Sequence, residues 1–216
     1  MSAYFVTATG TDVGKTFVTA GLVHQLRENG GVVSAVKPVM SGFAWQTAAT
    51  SDAGVLLTAL DLPVTEENIR RISPWRFAAP LAPDMAAARE NRQIDFDALV
   101  TWCRRAIAAN AGTLFIEGVG GVMVPLDARR TVLDWLAALE LPLIMVTGSY
   151  LGTLSHTLTA LDAVARRGLT VAALVVNESA ASPVPLDETI ATLGRFASGI
   201  QIVSISRMLT REASRL

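Results

Sequence analysis

Short apolar segments alternate with longer amphipathic segments along most of the 216-residue chain. The short segments place Val, Ile and Leu at consecutive positions, which is typical of strands that are buried on both faces of a parallel sheet. We predict the following strands: Tyr4–Thr7, Val32–Val36, Thr113–Ile116, Leu143–Val146, Val171–Val176 and Ile200–Ile205.

The longer segments carry apolar residues three or four positions apart, which places them on one face of a helix. These segments predict helices over Lys15–Asn29, Ser51–Leu60, Asp84–Arg92, Asp95–Asn110, Thr131–Leu139, Thr153–Arg167 and Leu186–Ala197. The alternation predicts an α/β fold with a doubly wound, mostly parallel sheet and helices on both faces. The length favours a single domain over residues 1–216. Prolines concentrated in residues 63–83 predict a loop-rich excursion there.

Composition narrows the classes of function. Hydrophobic residues make up 51% of the chain and charged residues 17%, which excludes a disordered protein. The net charge of −1 provides no basic excess for a nucleic-acid backbone, so no nucleic-acid partner is expected. Cys103 is the single cysteine, which indicates a reducing compartment. No signal peptide or membrane-spanning run is recognisable, so we expect a cytoplasmic protein without a membrane partner.

The segment between the first predicted strand and the first predicted helix has the character of a phosphate-binding loop. Residues 10–16 are Gly-Thr-Asp-Val-Gly-Lys-Thr. In such loops backbone N–H groups and the positive end of the helix bind phosphate oxygens. The lysine neutralises the outer phosphates and the threonine hydroxyl reaches Mg²⁺. The common form requires glycine where this chain has Thr9, but the flanking strand and helix still favour a nucleotide site with Lys15 and Thr16 in these roles.

Polar residues follow several of the other predicted strands. Lys37 and Ser41 follow the second strand, Glu117 follows the third, and Asn177 follows the fifth. Because the carboxyl ends of parallel strands meet at one edge of a sheet, we expect these residues to converge on the phosphate-binding loop. A buried carboxylate needs a partner, and Mg²⁺ is a good one. Two alternatives stay open: a solvated lysine at position 37, and a Glu117 carboxylate that accepts hydrogen bonds from loop N–H groups.

Two further carboxylates have open assignments. Asp52, near the start of a predicted helix, is either a helix cap or a metal ligand. Asp12, inside the loop, either orients the loop and the water molecules of the metal or serves only the turn. The histidines and the cysteine show no zinc spacing, and no Gly-x-Ser-x-Gly motif is present.

In this order, the motifs resemble those of the dethiobiotin synthetases. Residues 8–16 (Ala-Thr-Gly-Thr-Asp-Val-Gly-Lys-Thr) resemble the family's loop Gly-Thr-x-Thr-x-Val-Gly-Lys-Thr, with Ala8 in place of its first glycine. Further motifs resemble the family at residues 37–42 (Lys-Pro-Val-Met-Ser-Gly), 74–83 (a proline loop), 117–121 (Glu-Gly-Val-Gly-Gly) and 151–156 (Leu-Gly-Thr-Leu-Ser-His). In the last of these Ser155 replaces the family's asparagine, and Asn177 falls on the asparagine that reads the base. The resemblance covers residues 4 to 178.

The resemblance implies a homodimeric cyclo-ligase that uses ATP, Mg²⁺ and CO₂ to close a ureido ring on 7,8-diaminononanoate. It implies catalytic roles for Lys37, Lys15, Thr11 and Ser41, and nucleotide binding by Asp12, Val13, Gly14, Lys15, Thr16 and Asn177. It implies metal binding by Thr16, Asp52 and Glu117. It also implies that the N–H groups of Gly152, Thr153, Leu154 and Ser155 bind the substrate carboxylate across a dimer interface.

Two other protein classes are compatible with a loop of this kind. Nucleotide-switch ATPases of the partition or septum-positioning type usually carry a second lysine early in the loop, where this chain has Thr9-Gly10-Thr11. A related amidoligase domain would normally be joined to a glutaminase domain, for which 216 residues leave no room.

Overall fold

The computed structural model describes residues 2–180 and 182–207. Its strands are β1 (Ser2–Ala8), β2 (Val33–Val36), β3 (Val39–Met40), β4 (Trp75–Arg76), β5 (Thr113–Glu117), β6 (Leu143–Gly148), β7 (Val171–Asn177) and β8 (Gln201–Ile205). Its helices are α1 (Lys15–Glu28), α2 (Asp52–Ala59), α3 (Glu66–Ile72), α4 (Pro83–Arg89), α5 (Phe96–Ala109), α6 (Val132–Leu139), α7 (Thr153–Arg166) and α8 (Leu186–Phe196). A 3₁₀-helix covers Trp45–Thr50.

The main sheet has the strand order β2-β5-β1-β6-β7-β8, and every neighbouring pair is parallel. The chain moves from β1 to one edge of the sheet through α1, and later from β6 to the other edge through α7 and α8. Because such crossovers are right-handed, these opposite movements place α1 on one face and α7 and α8 on the other. The predicted doubly wound α/β fold is confirmed.

The central strands are buried on both faces, as their near-continuous apolar sequences predict. Phe5 on β1 is fully buried and packs edge-to-face against Trp135 of α6, with ring centroids 4.8 Å apart. The whole of β6 is buried. Polar caps determine where several helices begin: the Ser51 side chain accepts from the N–H of Gly54, and Thr131 forms a capping box with Asp134.

The predicted elements of the main sheet and its helices are all present, with ends within three residues of the prediction. The prediction for residues 63–83 was wrong in part, because α3 and β4 lie inside that segment. β4 pairs in parallel with β3 and forms a second, two-stranded sheet. Among residues 2–180 and 182–207, no helix combines the length and apolar character needed to cross a bilayer.

Candidate active site

The loop between β1 and α1 has the backbone conformation that its glycines permit. Gly14, the residue before α1, has φ = +97°, and a Cβ at this position would lie 2.3 Å from Nδ2 of Asn177. Only glycine fits so close an approach. The Lys15 side chain turns back over the loop, and its Nζ donates to the carbonyl of Gly10 at 3.0 Å. The loop is therefore preformed, with an ammonium group held inside it.

A buried cluster of charges lies beside this loop. Nζ of Lys37 is 2.8 Å from Oε1 of Glu117 and 3.0 Å from Oδ2 of Asp52, and it donates to the carbonyl of Gly118 at 2.6 Å. The side chain of Lys37 is 2% exposed and that of Glu117 is fully buried. Thr16 joins the cluster because its hydroxyl donates to Oε1 of Glu117 at 2.6 Å. Residues that follow β1, β2 and β5 thus meet at one edge of the sheet, as predicted.

The contacts of the cluster exclude three of the alternatives that the sequence left open. Lys37 is not a solvated lysine, because both of its carboxylate partners are within ion-pair distance. Oε1 of Glu117 accepts from the side chains of Thr16 and Lys37, and among the described residues no loop N–H group donates to this carboxylate. Asp52 is the first residue of α2, whereas the cap of this helix is Ser51.

The two lysines are in different electrostatic environments. Burial opposes the charge of Lys37, but Glu117 and Asp52 raise its pKa above the usual value, so it stays protonated. Burial is the largest single influence on Asp52 and raises its pKa, but Lys37, Thr16 and Lys15 together hold that pKa below its usual range. Burial, and then the nearby charge of Lys37, lower the pKa of Lys15 to about 8. A polyanion placed between the two ammonium groups would relieve their repulsion.

One oxygen atom of the cluster is unsatisfied. Oε2 of Glu117 is buried and has no hydrogen-bond partner among the described residues. A buried carboxylate oxygen in this state is costly unless it has a ligand such as a cation. The Thr16 hydroxyl and the half-exposed Asp52 carboxylate supply two more oxygen donors of the kind that Mg²⁺ prefers. Within the described ranges no three His, Cys, Asp or Glu side chains form a metal cluster.

A cavity of about 770 Å³ opens over the loop and the charged cluster. Its lining includes these predicted site residues: Thr11, Asp12, Gly14, Lys15, Thr16, Lys37, Ser41 and Asp52. The same cavity is also lined by Pro80, Leu81, Ala82 and Pro83. The sequence predicted no site role for these four residues, although the prolines of the segment belong to a motif noted for the resemblance.

Several predicted site residues lie outside that lining. The side chain of Val13 is buried in the core, and its carbonyl accepts from Nδ2 of Asn177 at 3.1 Å. Asn177 thus contacts the phosphate-binding loop itself. Glu117 lies beneath the cavity, where it contacts Lys37 and Thr16. Residues 152–155 are also absent from the lining.

The start of α7, which carries residues 152–155, is tied to the sheet by hydroxyl groups. Oγ1 of Thr153 donates to the carbonyl of Gly148 at 2.7 Å and lies 2.9 Å from Oγ1 of Thr147. Thr147 also contacts Thr9, at 3.0 Å, and Thr157, at 2.8 Å. This chain of hydroxyl groups connects the front of the phosphate-binding loop to the start of α7.

Comparisons with known proteins agree with this geometry. A family model described as an AAA domain matches residues 2–208. An ATP-dependent dethiobiotin synthetase of Acidiphilium cryptum is 48% identical over 88% of this chain and 85% of that protein. Proteins of the same name from Methylobacterium nodulans and Caulobacter vibrioides are 48% and 44% identical, over 96% and 100% of this chain and 94% and 97% of their own lengths.

A solved structure shares the architecture at low sequence identity. A MinC:MinD cell division protein complex of Aquifex aeolicus matches with a TM-score of 0.58 and 10% identity, over 100% of this chain and 86% of that chain. This likeness shows the fold alone. Identity above 40% over nearly full lengths, with the loop and charged cluster in place, shows the family. The chain belongs to the ATP-dependent dethiobiotin synthetases, a family of ligases.

Proposed function

We propose that the protein uses ATP, Mg²⁺ and CO₂ to carboxylate 7,8-diaminononanoate and close its ureido ring, giving dethiobiotin, ADP and phosphate. The observation that carries this proposal is the pair of lysines, Lys15 and Lys37, lining one cavity beside a buried carboxylate with an unsatisfied oxygen. This arrangement suits a reaction in which a phosphoryl group passes between anions.

The proposed reaction has three steps. One amine of the substrate takes up CO₂ and loses a proton, giving a carbamate. A carbamate oxygen attacks the γ-phosphorus of ATP, ADP leaves, and a carbamic–phosphoric anhydride forms. The second amine attacks the carbonyl carbon of the anhydride, phosphate leaves with the bonding electron pair, and loss of a proton from that amine completes the ring.

The protein's part is to position the reactants and stabilise their charges. Lys15 and the N–H groups of Thr11–Thr16 bind the phosphates. Lys37, which its carboxylate partners keep protonated, stabilises the carbamate and the transferring phosphoryl group. Thr11 and Ser41 line the same cavity and donate to the carbamate or amine end of the substrate. Asn177, at the back of the loop, recognises the base.

Thr16, Asp52 and Glu117 are the residues that would hold Mg²⁺. Bound there, the ion would neutralise charge that develops on the phosphate oxygens. The buried Oε2 of Glu117 supports this assignment, because it lacks another partner among the residues that the structure describes.

We also propose a homodimer, because the segment 152–155 lies outside the cavity of its own chain. Three large apolar side chains are exposed after β1, β5 and β6, at the edge of the sheet where the site lies: Phe17 (47%), Met123 (58%) and Leu151 (80%). A second copy of the chain would cover them and bring its own segment 152–155 to the substrate. Sedimentation analysis of the wild type checks the assembly, and Leu151→Asp, which places a charge in the patch that the second copy would cover, should shift the protein towards the monomer.

The test of the reaction is direct. Purified protein is incubated with 7,8-diaminononanoate, bicarbonate, Mg²⁺ and ATP, while phosphate release and the ring product are followed. We expect both to depend on the diamine. Phosphate release that ignores the diamine would contradict the proposal and favour a nucleotide-switch ATPase.

A further inference from the structure

Two serines join the loop after β6 to the loop after β7. The backbone N–H of Ser149 donates to Oγ of Ser179, and the backbone N–H of Ser179 donates to Oγ of Ser149, both at 3.0 Å. Because each serine donates through its main chain and accepts through its side chain, the two bonds close a ring between the loops. Oγ of Ser182 donates to the carbonyl of Ser149 at 2.6 Å. Ser149 is 1% exposed, so water competes little for these bonds.

A glycine makes this ring possible. Gly148 and Asn177 are the last paired residues of β6 and β7, directly before the two loops. A Cβ at position 148 would lie 2.5 Å from Oγ of Ser179 and 2.8 Å from Cδ1 of Tyr150. Side chains do not approach each other so closely, so the loops reach this distance only with glycine at position 148.

The ring connects two parts of the proposed active site. On one side, Ser179 follows Asn177, which contacts the carbonyl of Val13 in the phosphate-binding loop. On the other side, Ser149 is followed by Tyr150, whose carbonyl accepts from the N–H of Thr153 at 3.0 Å.

Tyr150 also fixes the first turn of α7, because its hydroxyl lies 2.9 Å from Nδ1 of His156. A displacement of the phosphate-binding loop therefore reaches the start of α7 through a short, continuous chain of contacts.

We propose that the Ser149–Ser179 pair is a positioning device that couples nucleotide binding at residues 9–14 to the ordering of residues 152–155, the segment assigned to the substrate carboxylate. The substrate part of this inference rests on the proposed function. With the pair intact, a nucleotide on the loop orders the first turn of α7 before the diamine arrives. Neither serine lines the cavity over the phosphate-binding loop, so the pair should affect the binding of the diamine and leave the chemical step unchanged.

Hydrogen exchange tests the coupling without any turnover. The probe is the non-hydrolysable analogue adenylyl imidodiphosphate with Mg²⁺, added to the full-length protein. In the wild type we expect the analogue to slow exchange both in the peptide covering residues 9–16 and in the peptide covering residues 149–157. In Ser179→Ala we expect the first effect to remain and the second to be weakened severalfold; the part that remains would pass through the hydroxyl groups of Thr9, Thr147 and Thr153. Ser34→Ala, on strand β2 at the far edge of the sheet, is the control and should match the wild type.

Steady-state kinetics give a second measurement. We expect Ser179→Ala to raise the KM for the diamine about fivefold, at the lower end of typical couplings between sites, with kcat within about twofold of the wild type. Ser179→Thr keeps the acceptor oxygen and should restore the KM. A lower kcat together with faster exchange throughout the sheet, before nucleotide is added, would instead indicate a purely structural role and overturn the proposal.

The remaining outcomes separate this inference from the proposed function. A wild type that forms dethiobiotin but shows no nucleotide-dependent protection of residues 149–157 would overturn the coupling and leave the function standing. A wild type that shows this protection, weakened in Ser179→Ala, but forms no dethiobiotin would support the coupling and overturn the function.

Discussion

The two halves of the site are held together by different chemistry. At the ends of β2 and β5 the contacts are between charges: Lys37 joins Glu117 and Asp52 in a buried cluster. At the ends of β6 and β7 the contacts are between neutral groups, the hydroxyls around Thr147 and the ring of Ser149 and Ser179.

The two kinds of contact respond differently to mutation. Removing one member of a buried ion cluster leaves another charge uncompensated in a medium of low dielectric constant. Removing one hydroxyl leaves at most a neutral group without a partner. We therefore expect the charged half to determine whether the protein works, and the hydroxyl half to determine how well it holds its substrate.

The largest effect should follow Lys37→Ala. We expect it to abolish turnover, because the charge that stabilises the carbamate and the phosphoryl group is lost, while nucleotide affinity stays within about tenfold because Lys15 and the loop N–H groups remain. Turnover and calorimetric titration with adenylyl imidodiphosphate measure the two quantities separately. Unchanged turnover would remove Lys37 from the mechanism.

Glu117→Ala should cause the largest loss of stability. It removes one partner of buried Lys37, and we expect the free energy of unfolding to fall by about 3–5 kcal/mol. Urea unfolding measures this change, with Glu67→Ala on the exposed first turn of α3 as the control. The double variant Lys37→Met/Glu117→Leu should recover part of the loss, because it removes both charges. Equal losses in the single and double variants would contradict the assignment to an uncompensated charge.

Thr147→Val should have a smaller effect. The substitution keeps the shape of the side chain and removes the oxygen shared by Thr9, Thr153 and Thr157. We expect a loss of about 1–3 kcal/mol in the free energy of unfolding, since the groups left behind are neutral. Urea unfolding again measures it, and Thr170→Val, at an exposed position, should show almost no change. A loss as large as that of Glu117→Ala would erase the contrast between the two halves.

The smallest effect should be that of Asp52→Asn on stability in acid. Burial opposes ionisation of Asp52, but Lys37 holds its pKa below the usual value. The contribution of the Asp52–Lys37 ion pair to the free energy of unfolding is therefore fully present above the ordinary aspartate pKa. It is lost as the pH falls through the lowered pKa of Asp52. The side chain is 44% exposed, so solvent screening limits the contribution to less than about 1 kcal/mol. Unfolding curves from neutral pH down to pH 2 should fall less steeply for the variant, and parallel curves would contradict this assignment.

Much of the main sheet was predictable because its strands are continuous apolar runs and its helices have clear periods and caps. The segment between β2 and α4 was harder. β3 and β4 have two residues each, and α3 is a seven-residue helix with only Ile69 and Ile72 buried. Such short elements carry too little periodicity to be recognised, and their stability comes from tertiary packing.

The site was predictable as a set of residues but not as a set of contacts. The positions of Lys37 and Glu117 after strands β2 and β5 predicted that they would converge. Nothing in the sequence indicated that they would pair directly and leave one carboxylate oxygen without a partner in the part of the chain that the structure describes. The hydrogen bond from Asn177 to the carbonyl of Val13 could not be predicted either, because the two residues are 164 positions apart in the sequence.

The small sheet of β3 and β4 has a consequence for the integrity of the chain. The segment between Met40 and Trp75 is held together at its two ends, because β3 and β4 pair in parallel there. A protease that cuts the exposed turn at Asp61 would therefore produce two fragments that stay associated. The molecule would then tolerate a nick, or a grafted peptide, at a point between two residues of its own active site.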